Sequence, residues 1–295
     1  MAEVRKKFDL FMIVNIAILC LFGLITLLPV MNVVSKAFSG EGPVIAGQVL
    51  FWPVQFQVDT VRYVLTQAEF RNAFSITVFV TLVGTAIAMF LTTSAAYPLS
   101  KPALRGRKVF LYIFVFVMLF NAGMVPNYIL YRSLKLTNTI WALVFSGTFS
   151  VFNLFIMKNY FESLPESIEE SARIDGASNL VTLYRIVIPM SLPVIATITL
   201  FYSVGFWNNY FAGVLYITTP KLKPLQQYLY DLITMALNTT DATGNISGDI
   251  NSIMNLSGEN VRSATIVVST LPILLVYPFL QKYFVKGVTI GSVKG

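Results

Sequence analysis

The chain has 295 residues, of which 56% are hydrophobic and only 12% charged, with a mean hydropathy of +0.70. A soluble domain carries about twice that share of charge, so the composition excludes an ordinary water-soluble fold and points to an all-α integral membrane protein. The formal net charge of +7 implies no nucleic-acid partner, because the basic residues sit in short clusters beside apolar runs and not along one polar face.

There is no histidine, and the one cysteine, Cys20, lies inside an apolar run. An internal disulfide, a histidine-based hydrolase triad and an H-E-x-x-H metal site are therefore excluded. No catalytic residue and no metal site is expected.

A membrane span takes roughly 20 apolar residues. Six segments qualify: 10–34, 72–96, 109–130, 139–160, 190–216 and 264–284. Arg5, Lys6 and Lys7 precede the first, as they would a secretory signal. The apolar run is too long for a signal core and no clean cleavage site follows, so it is expected to stay as a span. Lys101, Arg105, Arg107 and Lys108 crowd the short connection 101–108, which holds no acid. The positive-inside rule puts this connection in the cytosol. Both termini and the segment 161–189 then fall on the same side. The chain divides into residues 1–70 (N-terminal tail, first span and an external segment), a transmembrane core at 71–284, and a cytosolic tail at 285–295.

All 14 acidic residues lie outside the six spans. A charge at mid-membrane is costly and is kept mainly for ion or proton pathways. A secondary, ion-coupled carrier often keeps such a carboxylate, and this absence argues against one.

Between the fourth and fifth spans runs EESARIDGASNLVTLYRIVIP, residues 169–189. The preceding Ser163-Leu164-Pro165-Glu166 has the spacing of a capping box. Leu164, Ile168 and Ala172 form one apolar stripe, Gly176 suits a left-handed turn, and Ser178 can cap a second helix that Pro189 interrupts. The expected form is helix, glycine turn, helix. A connector resting on lipid would explain the amphipathicity, but such helices are usually basic. Here Glu162, Glu166, Glu169, Glu170 and Asp175 outnumber Arg173 and Arg185. Small residues at Ser171, Ala172, Gly176 and Ala177 would let another backbone approach, as in a helix seated in a protein groove.

In the fifth span, Trp207 with Asn208, Asn209 and Tyr210 is the main candidate for contact with an uncharged polar ligand, since an aromatic face can stack on C–H surfaces and amides can bond hydroxyls without any charge. Interfacial anchoring of Trp207 is the competing explanation. Asn121 and Asn153 are further candidates, with Phe116, Phe120 and Tyr128 behind them; helix–helix hydrogen bonding is the plainer role for each asparagine. Beyond the span, Leu225, Leu229, Leu232 and Ala236 predict an amphipathic helix at the outer face, followed by a flexible loop at 241–258.

The segment 169–189 resembles the EAA loop of ABC importer permeases, whose pattern is E-A-A-x3-G-x9-I-x-L-P. Glu170, Ser171, Ala172, Gly176, Ile186, Ile188 and Pro189 supply it, with serine for the first alanine and isoleucine for the leucine. FWNNYFAGVLYI, residues 206–217, resembles the Trp-Asn segment of maltose-type carbohydrate permeases. YPFLQKYFVKGVTIGSVKG, residues 277–295, resembles a subgroup that handles complex oligosaccharides delivered by a lipoprotein.

The resemblance covers about residues 8–295 and implies a type I importer permease fold with six transmembrane helices in a bacterial plasma membrane. It also implies a second homologous permease subunit, two ATP-binding subunits that hold ATP and Mg, an extracytoplasmic sugar-binding lipoprotein and a carbohydrate substrate. The chain itself would hold no cofactor. Glu169, Glu170, Ser171, Ala172, Asp175, Gly176 and Ala177 would form the coupling surface for an ATPase. No G-x-x-x-x-G-K-[ST] occurs in the chain, so nucleotide energy would have to come from such a partner.

Overall fold

Long apolar runs cannot leave backbone N–H and C=O groups unpaired in lipid, and the helix pairs them within one segment. The computed structural model describes residues 10–120, 122–240 and 258–292, and among them there is no strand. The predicted all-α class holds. The flexible loop expected at 241–258 and the candidate Asn121 lie almost wholly outside the described residues.

Contacts divide the chain into two units, 1–67 with 231–270 and 68–230 with 271–295. The first contains α1 (Leu10–Ala37), α2 (Glu41–Ile45) and α3 (Asp59–Thr66). Helix α1 is exposed over most of its length, as an apolar helix facing lipid or a partner would be. Its C-terminal end is tied down. The Asn32 amide donates to the Val49 and Leu50 carbonyls at 3.2 and 2.7 Å. Lys36 pairs with Glu259, and Asn260 donates to the Ser39 carbonyl at 3.0 Å.

The second unit is built on α4 (Ala68–Ser100), which is unbroken over 33 residues and so about 50 Å long at 1.5 Å per residue. After a turn closed by Gly106 at φ +78° come α5 (Arg107–Leu119) and α6 (Met124–Ser133). Next are α7 (Ile140–Phe145), α8 (Val151–Glu162) and α9 (Glu166–Ile174). A continuous path then runs through α10 (Asn179–Thr182), a π-helical turn (Leu183–Val187) and α11 (Ile188–Met190) to α12 (Leu192–Trp207). Last are α13 (Tyr210–Tyr216), α14 (Leu225–Thr240) and α15 (Gly258–Ser292); α14 and α15 each have one end in the first unit. Helix α4 packs against α12 and α8, and α7 against α4 and α13. The core between them includes Leu154, Met157, Phe161, Ile198 and Phe206.

Three of the predicted spans are not single helices. The run 109–130 is divided between α5 and α6, with Phe120 extended and Gly123 at φ +85°. The run 139–160 breaks between α7 and α8, and 190–216 breaks at Asn208–Asn209. Among the described residues two helices, Phe11–Ala37 and Ala68–Ser100, are each long and apolar enough to cross a membrane, or up to 4 spans if each of two bent pairs counts as one. One bent pair, Asn179–Met190 with Leu192–Trp207, turns through 86°. Pro189 and Pro193 flank the bend, and neither has an N–H to donate to the turn before it.

Candidate functional site

Helices α8 and α12 and the break before α8 line an open cleft of about 520 Å³, inside the roughly 300–1,000 Å³ usual for ligand sites. Its walls are Phe149, Phe152 and Phe201, with polar groups from Ser150, Asn153, Tyr202 and Asn209, and no acidic or basic side chain lines it. Tyr202 organises the wall. The Ser150 N–H donates to its hydroxyl oxygen at 3.0 Å, and that hydroxyl lies 2.7 Å from Thr92 Oγ1 on α4. Ser150 Oγ in turn accepts from the Asn153 N–H at 3.3 Å and caps α8. Asn209 restarts the chain after its break: its Oδ1 accepts from the Ala212 N–H at 3.1 Å, and its amide donates to Ser146 Oγ at 3.3 Å. Aromatic walls with convergent amides and hydroxyls can hold a polyhydroxylated ligand by stacking and hydrogen bonds.

The structure brings Asn153 and Asn209 to this cleft, as nominated from sequence, but not the other candidates among the described residues. Trp207 is buried on the opposite side of α12, edge-on to Phe74 at 5.9 Å. There it lines a second, nearly all-apolar crevice of about 240 Å³ with Val78, Leu200 and Ile273, and its indole N–H has no partner among the described residues. Tyr210 stacks on Tyr230 at 5.6 Å, and Asn208 is exposed outside the cleft lining. Phe116 and Phe120 stack on each other at 4.6 Å, and Tyr128 on Tyr216 at 6.3 Å, and none of them lines the cleft. Sequence reasoning missed Phe201, Tyr202 and Phe206. The usable signal was angular: at 100° per residue, 201, 202, 205 and 209 share a helical face that 207 does not.

The segment 161–189 forms the expected helix, glycine turn and helix. Gly176 has φ +79°; the Ala177 N–H donates to the Ala172 carbonyl at 2.9 Å, and the Gly176 N–H to the Arg173 carbonyl at 3.0 Å. These two bonds are a Schellman closure, which satisfies the last carbonyls of α9. Ser178 caps α10 through the Val181 N–H at 3.4 Å. The capping box at Ser163 does not form. That hydroxyl donates backwards to the Tyr160 carbonyl at 2.7 Å and ends α8, while α9 starts after Pro165 with no side-chain cap.

Glu170, Ser171, Asp175 and Gly176 are exposed, Ala177 is half-buried and Ala172 is buried. Ile174, Leu180, Val181 and Tyr184 lie uncovered around the turn, Ile174 at 86% exposure. A Cβ built on Gly176 would meet nothing within 4 Å. Glu169 behaves differently from its acidic neighbours. It is only 6% exposed and turns inward to pair with Lys101, the residue after α4.

Residues 84–290 match the family described as binding-protein-dependent transport system inner membrane components. Protein LplC of Bacillus subtilis (strain 168) is 41% identical over 300 aligned positions, covering 100% of both chains. The polygalacturonan/rhamnogalacturonan transport system permease protein YtcP of the same organism is 39% identical, covering 94% of this chain and 96% of its own. Among solved structures, a bacterial ABC transporter involved in the import of the acidic polysaccharide alginate superposes with a TM-score of 0.86 at 34% identity, covering 96% of this chain and 100% of its own.

Proposed function

Because the chain belongs to the family of binding-protein-dependent transport system inner membrane components, we propose that it is the permease subunit of an ATP-driven oligosaccharide importer, with its six spans, counting broken ones, placing both termini in the cytosol. The α8–α12 cleft is its share of the translocation path. The α9–Gly176–α10 element is the surface that meets an ATP-binding subunit. A second permease subunit, a second ATP-binding subunit and an extracytoplasmic binding protein complete the machine. The chain is a non-catalytic transport component.

The observation that carries this reading is the α9 element: a short helix closed by a glycine turn, with Ile174, Leu180 and Val181 bare around it. An apolar surface of this kind calls for a partner. Sugar as cargo is supported by the uncharged cleft, whose aromatic and amide lining does not require an ionic ligand, and by the polysaccharide names of two relatives.

Vesicles reconstituted with the partner subunits and binding protein test the energy source. Neutral pectic oligosaccharides are the first probe, matching the uncharged cleft, followed by galacturonan-derived oligosaccharides. Uptake is expected to persist with a protonophore and to stop without internal ATP. Accumulation by the purified chain alone, driven by an imposed proton gradient, would replace the importer by an ion-coupled carrier.

A further inference from the structure

Lys101, Glu169 and Tyr97 occupy the corner where α4 ends and α9 passes beneath it. Glu169 Oε1 pairs with the Lys101 ammonium, and the Tyr97 hydroxyl lies 3.4 Å from Oε2. The same ammonium sits 4.9 Å from the centre of the Tyr97 ring, whose edge meets Phe161 at 6.4 Å. Glu166 and Glu170, on either side, face solvent. A second tie lies next to the first. Arg107 pairs with Glu162 at the end of α8 while its Nε donates to the Leu99 carbonyl at 2.8 Å, and Lys158 reaches the same carboxylate at 2.8 Å. The corner 99–107 is thus held to both sides of the α8–α9 junction.

A buried ion pair is a poor source of stability, since an apolar pair of similar size often holds a fold equally well. What it supplies is a fixed register between two elements. Among these elements α9 carries the uncovered apolar turn, and two helices run unbroken from this corner to the cleft wall: α8, from Glu162 to Phe152, and α4. Nine residues before Lys101, about 13 Å along the helix, Thr92 meets the Tyr202 hydroxyl, which holds Ser150 in the cleft wall.

We propose that the Lys101–Glu169–Tyr97 clamp makes α9 and the C-terminal end of α4 one rigid body, so that a displacement of α9 reaches the cleft through α4 and the Thr92–Tyr202–Ser150 bonds. Lys101 and Glu169 are positioning residues. Glu169 acts inside the chain and leaves contact with the ATP-binding subunit to Glu170 and the exposed turn. The proposal rests on the reading of α9 as the surface that meets the ATP-binding subunit. Contiguity alone does not demonstrate coupling, so the test reads coupling directly.

The assembled importer, with Cys20→Ser and the cleft reporter Phe152→Cys, is placed in lipid nanodiscs. It is labelled with a membrane-impermeant maleimide, without nucleotide and after trapping with ATP and vanadate. The reporter's labelling rate is expected to change on trapping. Adding Lys101→Met should leave ATP hydrolysis standing while shrinking that nucleotide-dependent change at least about fivefold, the low end of an ordinary coupling free energy. Lys101→Arg, which keeps the charge, should restore it. If Lys101→Met does not assemble, Glu169→Gln decides, because it removes the ion pair without leaving a buried charge on α9.

A full nucleotide response in Lys101→Met or Glu169→Gln overturns the clamp. So does a Lys101→Arg variant as uncoupled as Lys101→Met. A reporter that ignores nucleotide in the otherwise unaltered complex overturns the importer reading itself, and the clamp with it.

Discussion

Gly84→Ala should destabilise the second unit through one aromatic ring. A Cβ at position 84 would lie 2.6, 2.8 and 2.9 Å from Cζ, Cε1 and Cε2 of Phe206, where carbon atoms normally rest roughly 3.5–4.0 Å apart. The deficit is about 1 Å at the tip of a ring that is 5% exposed. Retreat is obstructed by Gly147, whose own added Cβ would sit 2.9 Å from Phe206 Cε1. The ring lies between two glycines, and the open side available to it is the cleft. Overpacking of this kind costs about 1–3 kcal/mol. The assay is the unfolding temperature of the purified permease in detergent, at a fixed scan rate because such unfolding is usually irreversible. Gly84→Ala should melt below the parent. Phe206→Leu should melt lower too, by leaving a void. The double variant should melt higher than the two losses predict, because the shorter side chain vacates the space the new methyl needs. A double variant whose loss in melting temperature equals the sum of the two single losses, as independent sites give, would refute the wedge. So would a Gly84→Ala protein that melts like the parent.

Substitutions at two further positions separate local strain from function. Gly176→Ala and Gly176→Leu both force a side chain to φ +79°, which costs about 1–2 kcal/mol. The described residues leave open space there, so Leu should reduce co-purification of the ATP-binding subunit well beyond Ala; equal effects would mean that no partner packs on the turn. Tyr202→Phe removes the hydroxyl shared by Thr92 and Ser150 and leaves the Ser150 N–H without that acceptor, for about 1–3 kcal/mol. An unchanged melting temperature would show that water replaces the bond and that the cleft wall is not fixed from α4.

The turn at Gly176 was legible because its cause is local. A helix of fixed stripe, a glycine and a capping serine follow one another within a few residues, and each side chain acts on its own backbone. The helix at α14 was legible for the same reason: Leu225 and Leu229 are buried where the spacing put them. Ser163 deceived because its hydroxyl had two helices to serve, and the carbonyl behind it, in α8, won. The inward turn of Glu169 could not be read at all. Three acids lie within one turn and a half of α9, and which of them is buried depends on Lys101, 68 positions earlier. That Trp207 lies off the cleft could not be read for a related reason: Trp-Asn-Asn names residue types, whereas the cleft is lined by one face of α12, and 207 and 209 fall on different sides of it.

The broken spans carry the most information about the site. An apolar run reads the same whether its helix is straight or interrupted, so composition could not reveal the breaks at 146–150 and 208–209. Yet irregular backbone at membrane depth is tolerated only where it is buried in protein or borders a water-filled cavity, since lipid offers nothing to its free N–H and C=O groups. Here the two breaks meet. The Asn209 amide donates to Ser146 Oγ at 3.3 Å, joining one interruption to the other, and both contribute residues to the cleft. Gly147 and Gly205 on its wall keep the backbone close to the open space. Lipid-facing packing gives no reason to interrupt two neighbouring apolar helices at adjoining points, whereas a polar passage between them does. The proposed path therefore rests on the breaks as much as on the side chains that line it.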